Sequence, residues 1–329
     1  MGGIVILAGD VGGTKTYVGF FNPAESGYEP LVEDRVPTAD HPSLGRLLAE
    51  FAARAGLTPD RVAVGVPGPV RHTPVRGVNL PWLVDPAELR TALGLDEVYL
   101  LNDLEATAYG TLVLPPEDTM SLNEGRPDPE GNIAVIAAGT GLGEGGLCWA
   151  GRKYVTIASE GGHTDFAPGN AVEAELFLYL RERLDHVSWE RVLSGPGLVQ
   201  LYEFLRDSGR GEEPEWLARE LAQGDPSQTI SLAAMEGRCD LAVQALDRFV
   251  SLYGAEAGNL ALKMLATGGV FVGGGIAPKI VDRMRDGHFM EAFAAKGRLA
   301  QPLRHMPVKV ILNDKTAFLG AAYWGSHRD

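Results

Sequence analysis

Residues 4–21 read IVILAGDVGGTKTYVGFF. An apolar run from Ile4 to Gly9, a Gly-Gly turn and a second apolar run from Thr16 to Phe21 give the pattern of a β-hairpin with a glycine-rich tip. GDVGGT, Gly9 to Thr14, fits neither GxxxxGK[ST] nor the spacing and context of GxGxxG, so neither a P-loop nor a dinucleotide fingerprint is indicated. Alone, it serves equally as an ordinary hairpin turn. Yet successive N–H groups at such a tip form an anion-binding concavity, because glycine lets a phosphate approach the backbone.

The device recurs. Residues 133–150 read IAVIAAGTGLGEGGLCWA, a strand from Ile133 to Ala138, a GTGLG tip from Gly139 to Gly143 and a return strand from Gly146 to Ala150. A third glycine run, Gly273 to Gly275, ends an apolar strand from Val270 to Val272. A nucleotide clamped between two lobes accounts for all three: Gly9, Asp10, Val11, Gly12, Gly13, Thr14 and Lys15 on one side, and Gly139, Thr140, Gly141, Gly273, Gly274 and Gly275 on the other.

The rest of the chain alternates strands with helices, the mark of an α/β protein. Apolar residues from Leu44 to Ala55 recur at helical spacing, with Gly56 as a stop. Strands are expected at Arg61–Val66, Val98–Leu101 and Val308–Leu312, and helices at 171–184, 196–207, 241–265 and 316–324. Periodicity lapses between Leu112 and Asn132, a Pro-, Gly- and acid-rich stretch that marks a domain boundary. At 329 residues the chain exceeds what one core usually holds. Two domains are expected, 1–112 plus 314–329 (small) and 113–313 (large).

A formal net charge of −14 argues against a nucleic-acid backbone as partner. The two cysteines, Cys148 and Cys239, form no ligand cluster, and a reducing compartment suits them. No apolar stretch reads as a signal peptide or bilayer span, so no membrane partner and a cytoplasmic location are expected.

The polar residues suggest chemistry. Asp10 stands beside a phosphate tip, where a carboxylate needs a bridging cation; Mg²⁺ held through water is implied, a local turn contact being the alternative. Lys15 is either a charge near the γ-phosphate or a solvated tip lysine. Asn102-Asp103 ends an apolar strand, where open α/β sheets place ligands. Asp103 suits a base that orients a hydroxyl and takes its proton, and equally a helix N-cap. SEGGHTDFAP, 159–168, gathers Glu160, His163 and Asp165 on a Gly-Gly bend, and such groups suit sugar hydroxyls. Glu190 alone would read as a surface charge.

These segments resemble the bacterial glucokinase family, the zinc-free hexokinase-type group on the two-domain actin-like ATPase (ribonuclease H-like) fold. The likeness rests on GDVGGTKT (9–16), LNDLEATAYG (101–110), GTGLG (139–143), SEGGHTDFAP, ERVLSGPGL (190–198) and VFVGGGIAPK (270–279). It implies ATP-dependent phosphorylation of glucose at its 6-hydroxyl, with Asp103 as base and Asn102, Glu160, His163 and Glu190 holding the ring. Asn79, in VNLPW, is a further sugar contact. It also implies Mg²⁺, lobe closure on glucose, Gly273 to Gly275 against adenosine, and frequently a homodimer. A kinase for another hexose or an amino sugar, and a non-kinase actin-like ATPase, are the alternatives. The CxCGxxGC zinc motif of the repressor/kinase relatives is missing, so no zinc is expected. Ala137-Ala138 replaces a common Gly-Pro. Glu144 is an unexplained anion after the second tip, its side chain expected to point away.

Overall fold

The computed structural model describes residues 3–77 and 80–328. Asn79, expected to contact sugar, lies outside the described residues. The chain divides into two compact units, Met1–Asp118 with Asn313–Asp329, and Thr119–Leu312. Each is an α/β unit built on one mixed sheet.

The first sheet holds β1 (Ile6–Val11), β2 (Lys15–Phe21), β3 (Val32–Pro37), β4 (Arg61–Val66) and β5 (Val98–Asn102), in the order β3-β2-β1-β4-β5. β1, β4 and β5 run parallel, while β2 and β3 pair antiparallel. Alternation along the strands explains the apolar runs. Leu7, Val18, Phe20, Val62 and Val64 join the apolar stripe of the helix Leu44–Ala55 in one core. On the other face Phe21 meets Phe318 edge-on at 4.9 Å between ring centroids. A sheet buried on both faces reads as a continuous apolar run. Ser43 caps the helix Leu44–Ala55, and Gly56 ends it in the left-handed region at φ 66°.

The second sheet holds β6 (Thr119–Asn123), β7 (Ile133–Ala138), β8 (Leu142–Trp149), β9 (Tyr154–Ile157), β10 (Gly269–Gly273) and β11 (Val308–Ile311), in the order β6-β11-β10-β7-β8-β9. The 25-residue helix Asp240–Met264 runs through the core of this unit. Among the described residues no helix is long and apolar enough to cross a membrane.

Three expectations need correction. β1 begins at Ile6 and continues through Asp10 to Val11, because its ladders with β2 and β4 run past Gly9. β8 begins at Leu142, paired with Ala138, so Leu142 and Gly143 belong to the return strand and the second tip shrinks to Gly139–Gly141. The aperiodic stretch before Ile133 contains β6, which finds its partner in β11, a strand far away in sequence.

Candidate active site

In the first unit the β1–β2 tip is Gly12–Thr14. Gly12 N–H donates to the Lys15 carbonyl at 2.9 Å, Thr38 Oγ1 donates to the Gly12 carbonyl at 2.7 Å, and Thr38 N–H to the Thr14 carbonyl at 3.1 Å. Gly9, Asp10 and Val11 are ladder residues paired to β2. Asp10 therefore faces its surroundings through its side chain. That carboxyl is pushed up to about 7, first by burial and then by the negative charge of Asp103; Lys15 opposes the shift and Asp314 adds to it. Lys15 Nζ donates to Asp314 Oδ2 at 2.9 Å, and Tyr17 OH donates to the same oxygen at 2.7 Å.

β5 delivers Asn102 and Asp103. Asn102 is the N-cap of the helix Asp103–Gly110: its Oδ1 accepts from Leu104 N–H at 3.0 Å and Glu105 N–H at 3.3 Å, and Glu105 reaches back to the Asn102 N–H. This is a complete capping box. Asn102 Nδ2 donates to the Gly68 carbonyl at 3.2 Å. The N-cap position that sequence reasoning offered to Asp103 thus belongs to Asn102; Asp103 is the first helical residue, and its Oδ1 also accepts from Leu104 N–H at 2.9 Å.

In the second unit the two remaining glycine runs lie side by side. β7 and β10 are parallel neighbours with Ala137 opposite Gly273, so both chains leave the sheet at the same edge. Gly274 takes φ 83°, and a Cβ there would stand 2.2 Å from the Ala138 carbonyl oxygen, so only glycine fits. Buried Tyr253 accepts from Ala138 N–H at 2.9 Å and donates to the Gly273 carbonyl at 3.0 Å. Gly139 N–H closes onto the Gly141 carbonyl, and Gly195 N–H, opening the helix Gly195–Asp207, braces the Gly139 carbonyl; both bonds measure 2.8 Å.

The acidic bend and Glu190 join this group. Glu190 Oε2 accepts from Leu142 N–H at 3.1 Å, and its Oε1 lies 3.9 Å from His163 Nδ1. Glu190 therefore links the second tip to the bend. Glu160 and His163 are exposed. Asp165 turns elsewhere, its Oδ1 lying 2.8 Å from His186 Nε2. Sequence reasoning missed Tyr253, Asp314 and Thr38, which support the tips by contacts only the fold creates. Only SGPG at 194–197 carried a local signal, Ser194 capping the helix whose first N–H braces Gly139.

Comparison with known proteins identifies the family and the fold. The family profile described as Glucokinase matches residues 7–328. The glucokinase of Nostoc punctiforme is 39% identical over 333 residues, covering 97% of this chain and 98% of that protein. The crystal structure of a glucokinase from an Antarctic psychrotroph superposes with a TM-score of 0.88 at 29% identity, covering 98% of this chain and 99% of that one. A glucokinase of the ROK family from Streptomyces griseus, in complex with glucose and AMPPNP, shares the fold at a TM-score of 0.63 and 22% identity, over 97% and 98% of the two chains. The fold is the actin-like ATPase fold of these kinases, and with a full-length profile match and relatives near 40% identity, the chain belongs to the glucokinase family.

Proposed function

We propose that this enzyme transfers the γ-phosphoryl group of ATP to the 6-hydroxyl of glucose, giving glucose 6-phosphate and ADP. The observation that carries the reading is the position of Asp103. It ends β5, opens a helix that Asn102 caps independently, and lies close enough to Asp10 to raise that carboxyl's proton affinity.

In this reading Asp103 orients the sugar hydroxyl and accepts its proton as the new P–O bond forms. Asn102, Glu160, His163 and Glu190 hold the other hydroxyls. With the Gly12 and Gly139 N–H groups closing the tips, those of Gly13 and Thr14 on one side and of Thr140 and Gly141 on the other face phosphate oxygens, and Gly273–Gly275, adjoining the second tip, lies against adenosine. Most of the rate in such a transfer comes from positioning and charge stabilisation.

Mg²⁺ is usually held by one or two carboxylates together with phosphate oxygens and water. Asp10 fits: two carboxylates close together with one lysine leave net negative charge there. Among the described residues no three His, Cys, Asp or Glu side chains form a self-sufficient cage, so Asp10 would hold the ion through water and nucleotide. When bound, the ion neutralises charge on the phosphates.

The test is a coupled ADP-release assay over glucose, other hexoses and amino sugars, with several phosphoryl donors. Glucose with ATP is expected to give the highest kcat/KM. ADP release independent of any sugar would instead assign a non-kinase ATPase.

A further inference from the structure

Glu144 follows the second tip on β8, and it is 1% exposed. Among the described residues no N–H or O–H group bonds to either of its carboxyl oxygens. What acts on it is a second carboxyl, Glu256 of the helix Asp240–Met264, which is 0% exposed. Glu256 has the donors an anion needs: Asn259 Nδ2 at 2.7 Å from Oε2 and Lys263 Nζ at 3.1 Å from Oε1. Two buried carboxylates that feel each other's charge do not both ionise at neutral pH, and one proton held between them would supply the missing donor. The donors around Glu256 make it the anion and Glu144 the acid.

The Gly-Gly bend rests on this carboxyl. A Cβ on Gly161 would stand 2.1 Å from Glu144 Oε2, and one on Gly162 would stand 2.1 Å from the Leu142 carbonyl oxygen. The bend thus presses on β8 at two places, and its two ends present Glu160 and His163.

We propose that Glu144, as a neutral acid hydrogen-bonded to Glu256, is a positioning residue for the sugar-contacting bend Glu160–His163, and that loss of its proton displaces the bend. The proposal rests on the reading of Glu160 and His163 as sugar contacts.

The groups facing the pair can be named. The long helix brings Tyr253, Glu256, Asn259 and Lys263; Lys296 adds positive charge beside Glu256; the bend meets Glu144 at Gly161, beside Ser159, and its polar side chains Ser159, Glu160 and His163 are exposed. Burial, then the Glu256 charge, pushes Glu144 from 4.5 up to about 8, with Lys263 opposing. Burial likewise raises Glu256, against Asn259, Lys263 and Lys296. Because folding raises the affinity of Glu144 for its proton, its contribution to stability is full below about pH 4.5, falls as pH rises and is gone above about pH 8.

Glu144→Gln places a permanent N–H where the proton sits. Wild type and variant are compared from pH 5 to 9.5 by thermal melting and by initial rates against glucose and against ATP. The melting temperature of the variant relative to wild type is expected to rise by roughly 5 °C between pH 5 and 8 and then to stay constant. The wild-type glucose KM is expected to climb at least about threefold from pH 7 to 9 while the ATP KM stays flat, and the variant lacks that climb. Parallel melting curves and parallel glucose KM profiles in the two proteins would overturn the proposal. Should Glu144→Gln fail to fold, Glu256→Gln serves: it removes the second charge and is expected to lessen the pH-linked loss, the part due to burial of Glu144 remaining, and an undiminished loss would overturn the pairing. If glucose is not phosphorylated at all, the proposed function has failed, and the melting comparison still accepts or rejects the shared proton.

Discussion

Lys15 Nζ lies 2.9 Å from Asp314 Oδ2, joining the start of β2 to the segment that leads into the last helix, 299 residues away. The two side chains are 39% and 63% exposed, and such pairs contribute little stability. The contact holds the lysine head in one orientation. Asp314→Asn is expected to cost less than about 1 kcal/mol by urea denaturation. Lys15→Ala is expected to raise the ATP KM about fivefold with the glucose KM within about twofold. Equal changes in both KM values would remove Lys15 from the phosphate side.

Asp103→Asn separates catalysis from folding, since the capping box is made by Asn102 and Glu105. Stability is expected to change by less than about 1 kcal/mol, the loss of one charge at a helix N-terminus. The kcat is expected to fall by about 10²- to 10⁴-fold, the usual contribution of a positioned general base, with the glucose KM within a few-fold. Turnover at the wild-type rate would end the assignment of Asp103 as base.

Asn102 has two structural duties besides its proposed contact with sugar. Asn102→Ala loses the side-chain acceptor for Glu105 N–H, one of the two for Leu104 N–H (Asp103 Oδ1 remains at 2.9 Å), and the donor to the Gly68 carbonyl. A loss of about 1–2 kcal/mol is expected in chemical denaturation. Asn102→Asp keeps the cap but not the donor to the Gly68 carbonyl, and is expected to recover only the capping share of the loss. If both variants melt like wild type, the capping box is not a significant support for the helix that begins at Asp103.

The helices and strands with undivided apolar patterns were legible from the sequence. Leu44–Ala55 is a helix as its spacing predicts, and Gly56 ends it in the left-handed conformation that a C′ glycine supplies. Both glycine hairpins are present. Legibility failed where a partner distant in sequence decides the outcome. β6 is five residues, Thr119–Asn123, amid turn-forming neighbours, and it is a strand because β11 offers an edge. β1 outlasts its own apolar run because two ladders continue past Gly9.

The same reason limits the site. Tyr253 sits in a helix and reads as a core aromatic; only the parallel pairing of β7 with β10 brings Ala138 and Gly273 to its hydroxyl. Glu190 reads as a surface charge until the fold sets it on Leu142 N–H and near His163. Sequence reading offered the N-cap to Asp103 alone, although Asn and Asp cap equally well. Backbone geometry at the end of β5 chose Asn102.

Gly320 tests the support beneath Asp103. The helix Asp103–Gly110 crosses Thr316–Ser326 so closely that a Cβ on Gly320 would stand 1.7 Å from the Ala106 carbonyl oxygen, and one on Gly110 would stand 2.0 Å from that of Thr316. Backbone cannot yield as a side chain can. Gly320→Ala is expected to cost about 3 kcal/mol in urea denaturation. A cost under about 0.5 kcal/mol would mean that the crossing tolerates a methyl group and is looser than these distances imply.

A double-mutant cycle addresses the bend. Gly161→Ala drives a methyl group into the Glu144 carboxyl, and Gly162→Ala drives one into the Leu142 backbone carbonyl. Both are expected to raise the glucose KM by at least about tenfold, because small displacements of positioning groups are felt strongly. Glu144→Ala vacates the space that the first methyl needs and leaves the second clash untouched. Combined with Glu144→Ala, Gly161→Ala should therefore be less damaging than the sum of the two changes, with a coupling of about 1–2 kcal/mol from kcat/KM for glucose. Gly162→Ala combined with Glu144→Ala should be nearly additive. Equal coupling in the two cycles would place the constraint in the bend itself and not in its contact with Glu144.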